Sequence, residues 1–172
     1  MIRTVERSRR RALLRLAPLT AILLTAGAAA DRLPSPLLIN ETPSLPRGLY
    51  LRLGDAPPAR GDIVAASQPE HARPYTAALG VPEDLPLIKR VAAVPGYRIC
   101  ADGRRLILPF RTVRVDGRDR AGRSLPVWTG CRTLAPGEVL LLGDSATSFD
   151  GRYFGPVTRD QLLGRYRIVL TW

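Results

Sequence analysis

Lysine is nearly missing from this 172-residue chain, occurring once, at position 89, beside 25 arginines. Histidine also occurs once, cysteine twice, and aromatic residues make up only 6%. Each scarcity excludes something. His71 lies in Pro69-Glu70-His71-Ala72-Arg73-Pro74, a stretch that reads as a loop, so a serine–histidine triad is hard to build. Cys100 and Cys131 with that one histidine do not form a ligand set at zinc spacing, and neither a metal nor a cofactor is expected. The formal net charge of +11 invites a nucleic-acid reading, but the arginines are scattered and there are few aromatics on which bases could stack. No nucleic-acid partner is expected. There is no internal repeat.

The basic excess is uneven. Arg3, Arg7, Arg9, Arg10, Arg11 and Arg15 crowd the N-terminus against a single acid, Glu6, and residues 16–30 (LAPLTAILLTAGAAA) then run almost without polarity. That order is expected of a signal sequence or signal anchor with its positive end in the cytoplasm. The run is short for a span, which takes about 20 apolar residues. An anchor would recruit residues 12–14 and let Arg15 snorkel to the interface. Ala28-Ala29-Ala30-Asp31 also resembles a small-residue cleavage site, so a retained anchor, the favoured reading, and a removed signal peptide both stand open. Either way the chain after Asp31 is placed outside the cytoplasm, where Cys100 and Cys131 would most simply pair with each other; two unrelated buried thiols are the alternative.

The length and 45% hydrophobic content suit one compact domain with a short appendage, divided as residues 1–31 and 32–172. After a stiff Leu33-Pro34-Ser35-Pro36 linker, short β-type runs alternate with Gly and Pro. Strands are expected over 48–53, 62–66, 87–94, 98–100, 106–108, 112–115, 139–142 and 166–170. Only 70–79, limited by Pro74, and 159–163 read as helical turns. Many short strands with closely spaced turns indicate a mainly β, sandwich or barrel-like body. The region of about 100–131, containing the Arg-, Asp- and Gly-rich DGRDRAGR, reads as an exposed inserted hairpin.

Lys89 lies in Leu87-Ile88-Lys89-Arg90-Val91-Ala92-Ala93-Val94, where its same-face neighbours on a strand are Leu87, Val91 and Ala93. Desolvation there would lower the amine's pKa and make it a usable general base; the plain alternative is an edge lysine reaching water. Its candidate partner is Ser44, in Thr42-Pro43-Ser44-Leu45-Pro46-Arg47-Gly48-Leu49-Tyr50, where two prolines restrict the backbone. Alone, that stretch would pass for a rigid turn with an incidental serine.

Three segments occur in order after the apolar lead: Ser44 to Tyr50, Leu87-Ile88-Lys89-Arg90-Val91 with Pro95-Gly96, and Gly143-Asp144-Ser145-Ala146-Thr147-Ser148-Phe149-Asp150-Gly151-Arg152. Together they resemble the boxes of the type I signal peptidases, most nearly the conjugative-transfer (TraF-like) branch that matures pilin subunits. Leu45 stands where the housekeeping enzymes have methionine, and the last box is one residue shorter. The resemblance implies a signal-peptidase-like body of short antiparallel strands. It implies that Ser44 is the nucleophile and neutral Lys89 the base. The Ser44 N–H, with the Thr42 hydroxyl, would hold the oxyanion, Ser148 would orient the lysine, Asp150 and Arg152 would brace the site, and Asp144 would be a further structural acid.

The implied activity is a membrane-bound serine endopeptidase of the bacterial inner membrane, with its catalytic domain in the periplasm. It would cleave leader peptides from exported precursors such as a prepilin, possessing membrane lipid as its second partner; residues 37–39 are candidates to touch the bilayer. Hydrolysis and cyclisation of the product are equally open. The rivals are a self-cleaving Ser-Lys repressor, for which no DNA-binding domain fits in the N-terminal segment, and a non-enzymatic basic periplasmic assembly module of a conjugation or secretion system.

Overall fold

The computed structural model describes residues 35–172, in which two antiparallel sheets carry almost all regular structure. The basic segment and apolar run expected to form the anchor, residues 1–31, lie outside the described residues. Among the described residues no helix is long and apolar enough to cross a membrane.

The larger sheet contains β1 (Leu37–Asn40), β2 (Gly48–Gly54), β3 (Ile63–Ala66), β4 (Leu87–Ala93), β9 (Glu138–Leu142), β10 (Val157–Thr158) and β11 (Leu162–Thr171), in the order β1-β2-β11-β3-β4-β9-β10. The smaller is built from β5 (Arg98–Asp102), β6 (Arg105–Leu108), β7 (Arg111–Arg114) and β8 (Thr129–Thr133), in the order β7-β6-β5-β8. A 3-10 turn (Glu70–Ala72) and helix α1 (Arg73–Ala78) join β3 to β4, and the one-turn helix α2 (Gly151–Phe154) follows β9.

Strand β4 is interior to its sheet, and its residues Ile88, Lys89, Val91, Ala92 and Ala93 are all buried. Successive parts of the strand feed different cores, with a register shift between Val91 and Ala93. Ala92 and Ala93 pack with Ile99, Leu106, Leu140 and Leu142, so the smaller sheet closes over one part of the larger. Val91 packs instead with Val64, Leu141 and Phe154. Fully burying an aliphatic side chain stabilises by roughly 1.5–3 kcal/mol, and these clusters anchor β4 in the core.

Several sequence expectations are corrected here. Helical turns form within 70–79 as expected, and Pro74 bounds them from the N-terminal side: it occupies the first turn of α1, where no backbone N–H is needed, and only a 3-10 turn precedes it. Of 159–163, only Arg159–Gln161 makes a helical turn, and the rest opens β11. β1, β8 and the two-residue β10 are not among the expected strands: β1 follows directly on the expected linker, and β8 is exposed throughout, without an apolar alternation to reveal it. The 100–131 region is more than a surface hairpin, because Leu106, Leu108 and Val115 enter the core; Arg118 and Ser124 bridge its exposed tip. Cys100 and Cys131 face each other across β5 and β8 and are disulfide-bonded.

Candidate active site

Ser44 sits in the turn between β1 and β2. Its neighbour Leu45 is 2% exposed and packs with Tyr50, Ala65, Ile88 and Tyr166, so the residue beside the hydroxyl is anchored in the core. The Tyr50 hydroxyl donates to the Pro46 carbonyl at 2.6 Å, tying the turn to β2. Gly48, at φ +157°, lets β2 begin against the end of β11; a Cβ there would lie 1.9 Å from the Leu170 carbonyl oxygen.

Lys89 projects from the middle of β4, opposite Val64 on β3, and donates from Nζ to Ser44 Oγ at 2.9 Å. The two residues are 5% and 6% exposed. Burial lowers the Lys89 pKa from 10.5 to about 8; the Asp150 carboxylate opposes the fall and the Arg152 guanidinium adds to it. The amine and hydroxyl that are 45 residues apart in sequence are therefore in hydrogen-bond contact, in a setting where the amine can lose its proton near neutral pH.

The segment between β9 and α2 closes the site from a third side. The Asp144 N–H donates to the Ser44 carbonyl at 2.6 Å. Arg90, next after Lys89, grips the Asp144 carboxylate through Nε at 2.9 Å and Nη2 at 2.8 Å. Asp150 caps α2, accepting from the Arg152 N–H at 3.1 Å, and binds the Arg152 guanidinium at 2.8 and 2.7 Å. Its Oδ2 also accepts from the Gly143 N–H at 2.8 Å. Arg152 extends the brace to the carbonyls of Ala146 and Ser145. Both charges are buried, at 0% and 2% exposure, and are satisfied by each other and by backbone, as an interior ion pair requires. Close approach here depends on Gly143, where a Cβ would fall 2.2 Å from Ser148 Oγ and 2.9 Å from the Ser44 carbonyl oxygen.

Ser148 lies in the same pocket wall, buried, but its Oγ makes no hydrogen bond among the described residues, to Lys89 or to any other group. Thr42 Oγ1 stands 3.0 Å from Ser44 Oγ and donates its proton to Asn40 Oδ1 at 2.8 Å. Thus Ser44, Lys89, Thr42, Asp144, Asp150 and Arg152 converge with Ser148 beside them, whereas Cys100 and Cys131 lie on the other sheet. The sequence reading did not single out Asn40 or Arg90. Asn40 had one weak signal, an Asn shortly before a proline-bracketed turn; Arg90 had none beyond adjacency to Lys89.

A cleft of about 500 Å³ opens above Ser44 and Lys89. Its walls are apolar, made by Leu38 and Ile39 of β1 on one side and by Leu79, Val81, Leu85 and Leu87 on the other. A family model described as signal peptidase, peptidase S26, matches residues 12–172. The chain belongs to the S26 signal peptidase family. It is 38% identical over 172 aligned residues to the plasmid transfer protein TraF of Escherichia coli, covering 88% of this chain and 91% of that one. It is 33% identical to the conjugal transfer protein TraF of Agrobacterium fabrum, covering 95% of this chain and 98% of that one. Among solved structures, a signal peptidase I from Enterococcus faecalis V583 aligns at 21% identity over 66% of this chain and 97% of that one, with a TM-score of 0.38. All of the described β-body, together with part of the N-terminal segment, thus falls within the S26 signal peptidase match.

Proposed function

We propose that this protein is a membrane-bound serine endopeptidase that removes leader peptides from exported precursors by a Ser-Lys mechanism. The observation that carries the reading is the 2.9 Å contact between Lys89 Nζ and Ser44 Oγ, both buried at the base of an apolar cleft. The neutral Lys89 amine takes the Ser44 proton as Oγ attacks the scissile carbonyl. The Ser44 N–H receives the developing oxyanion. Thr42 holds its proton on Asn40 in the resting site and would have to turn from that acceptor to donate as well. As the tetrahedral intermediate collapses, the Lys89 ammonium returns the proton to the departing amine, leaving the new amino terminus and a Ser44 ester. Water, deprotonated by Lys89, then cleaves the ester; a substrate amine in its place would give a cyclic product.

The remaining residues brace this chemistry: Asp150 and Arg152 hold the 143–148 segment against Ser44, Asp144 joins it to β4, and Ser148 is near enough to the cleft to steer the amine when substrate enters. An extended precursor lies between β1 and the 85–88 wall, with small side chains preceding the scissile bond. The substrate is a prepilin of a conjugation system, a reading supported by the transfer proteins to which the chain is similar. The basic lead and apolar run support an inner-membrane location with the 32–172 domain in the periplasm and lipid beside residues 37–39.

The test is cleavage of a co-expressed pilin precursor from the same genetic neighbourhood by wild type and Lys89→Arg, with insertion and folding checked in both. Wild type should cleave and the arginine variant, which keeps its charge and cannot deprotonate, should not. Equal cleavage by both removes Lys89 as the base.

A further inference from the structure

Asn40 ends β1 four residues before Ser44 and is 3% exposed. Its Nδ2 faces three carbonyl oxygens, those of Thr42 at 2.9 Å, Leu45 at 3.1 Å and Pro46 at 3.1 Å. Three acceptors around one end of the amide settle which way it points, since an oxygen placed there would meet only lone pairs. Oδ1 must therefore face Thr42, where it accepts from the backbone N–H at 3.2 Å and from the hydroxyl at 2.8 Å. A threonine hydroxyl has one proton. With that proton on Asn40, Thr42 Oγ1 presents only lone pairs to Ser44 Oγ, 3.0 Å away, and beyond Ser44 lies Lys89 Nζ at 2.9 Å.

We propose that Asn40 is a positioning residue for the nucleophile, acting through Thr42: by holding the Thr42 proton it keeps the Ser44 oxygen free of a competing donor. The inference rests on the peptidase reading of Ser44 and Lys89. With Lys89 charged, the four groups form a one-way chain of donors: Lys89 to Ser44, Ser44 to Thr42, and Thr42 to Asn40 Oδ1, an atom with no proton to give. When Lys89 deprotonates, Ser44 turns its O–H to the amine. Thr42 does not follow by donating to Ser44, and the Ser44 lone pairs stay available for the carbonyl. Removal of Asn40 releases the Thr42 proton to Ser44, which blunts the nucleophile and favours neutral Lys89. The fixed charges acting on Lys89, Asp150 and Arg152, belong to the α2 end of the site and are untouched by this change.

Because Lys89 is the sole lysine, 13C-lysine labelling of the full chain in detergent micelles yields a single ε-carbon resonance that reads its titration directly. Wild type, Asn40→Ala, Asn40→Asp, Thr42→Val and the Asn40→Ala/Thr42→Val double variant are titrated. Cleavage of a peptide with alanines before the scissile bond is followed against pH. Asn40→Ala should titrate lower by roughly half a pH unit and Asn40→Asp close to wild type, because the first removes the terminal acceptor and the second, kept protonated by the three carbonyls it would face, retains it. In Asn40→Ala, kcat should fall about ten-fold or more with KM within about two-fold, and adding Thr42→Val should move the titration no further. Titrations that coincide in wild type and both Asn40 variants, with only Tm lowered, overturn the proposal and leave Asn40 a structural plug. If Asn40→Ala does not fold, Thr42→Val decides: it must lower the Lys89 titration, and an unchanged one overturns the coupling. Shifts as expected without cleavage by wild type would leave the coupling standing and overturn the peptidase reading instead.

Discussion

Arg90 holds Asp144 by a two-point ion pair while the Asp144 N–H holds the carbonyl of Ser44, so the residue beside the proposed base fixes the backbone of the proposed nucleophile. Hydrogen bonding to Arg90 is the main reason the Asp144 carboxyl titrates below its ordinary range. The pair is partly exposed, at 37% and 44%, and contributes about 0–1 kcal/mol to stability.

Arg90→Ala should therefore leave Tm within a few degrees of wild type yet lower kcat for precursor cleavage by about ten-fold, since the Ser44 turn loses its link to β4. Arg90→Lys should recover only part of the rate, because an ammonium cannot make the two-pronged contact. Kinetics and a thermal melt on the same preparations check both.

Lys89 carries a linked prediction about pH. Its folded-state pKa, about 8, lies below the unfolded value near 10.5. Below pH 8 both states are charged and the folded state bears the full desolvation, about 3 kcal/mol; between 8 and 10.5 the unfolded chain binds more protons and stability rises with pH. Lys89→Met should abolish cleavage and raise the unfolding free energy at pH 7 by roughly 1–3 kcal/mol, a gain that fades above pH 10. Cleavage by wild type should rise through pH 8 as the amine deprotonates. Denaturant melts at pH 7 and 10, with a pH–rate profile, test all three.

Gly143→Ala should be disabling, because the added methyl meets the Ser148 side chain and the backbone of Ser44 rather than a flexible chain end. A loss of about 1–3 kcal/mol is expected, with kcat falling further than stability. Replacing Ser148 by Gly in the same variant should restore part of the stability but not the rate, since the side chain that steers the amine is lost; chemical denaturation and cleavage rates separate the two.

The disulfide should matter to stability alone. It closes a 31-residue separation on the smaller sheet, away from Ser44 and Lys89. Cys100→Ser/Cys131→Ser should lower stability by roughly 3–4 kcal/mol in the chain-entropy account, and mild reduction of wild type should lower Tm without changing kcat where the fold persists.

Strand content was legible because Val139 to Leu142 is a continuous apolar run and Leu87 to Val94 is one broken only by Lys89 and Arg90, both of the short length that suits a strand buried on both faces. β8 escaped because Thr129–Thr133 has no buried residue, its place set by pairing with Arg98–Asp102 and by the Cys100–Cys131 bond. Within the site, Ser44 and Lys89 were named through the resemblance of three ordered segments to the signal peptidase boxes; alone, the one lysine and a serine between prolines suited an edge residue and a rigid turn equally well. Asn40 and Arg90 were not, since each is an ordinary residue type whose importance comes from what it touches.

The sequence by itself determined that the chain has a β-rich body and one lysine able to be desolvated, because strand alternation and side-chain chemistry are local properties. Only the tertiary structure decided that Lys89 meets Ser44, that Thr42 gives its proton to Asn40, and that Arg90 reaches Asp144. Those contacts depend on the order of strands in the sheet, which brings β4, the β1–β2 turn and the β9–α2 segment together. A hydrogen bond is lost within a displacement of about 1 Å, and no local pattern specifies position that finely.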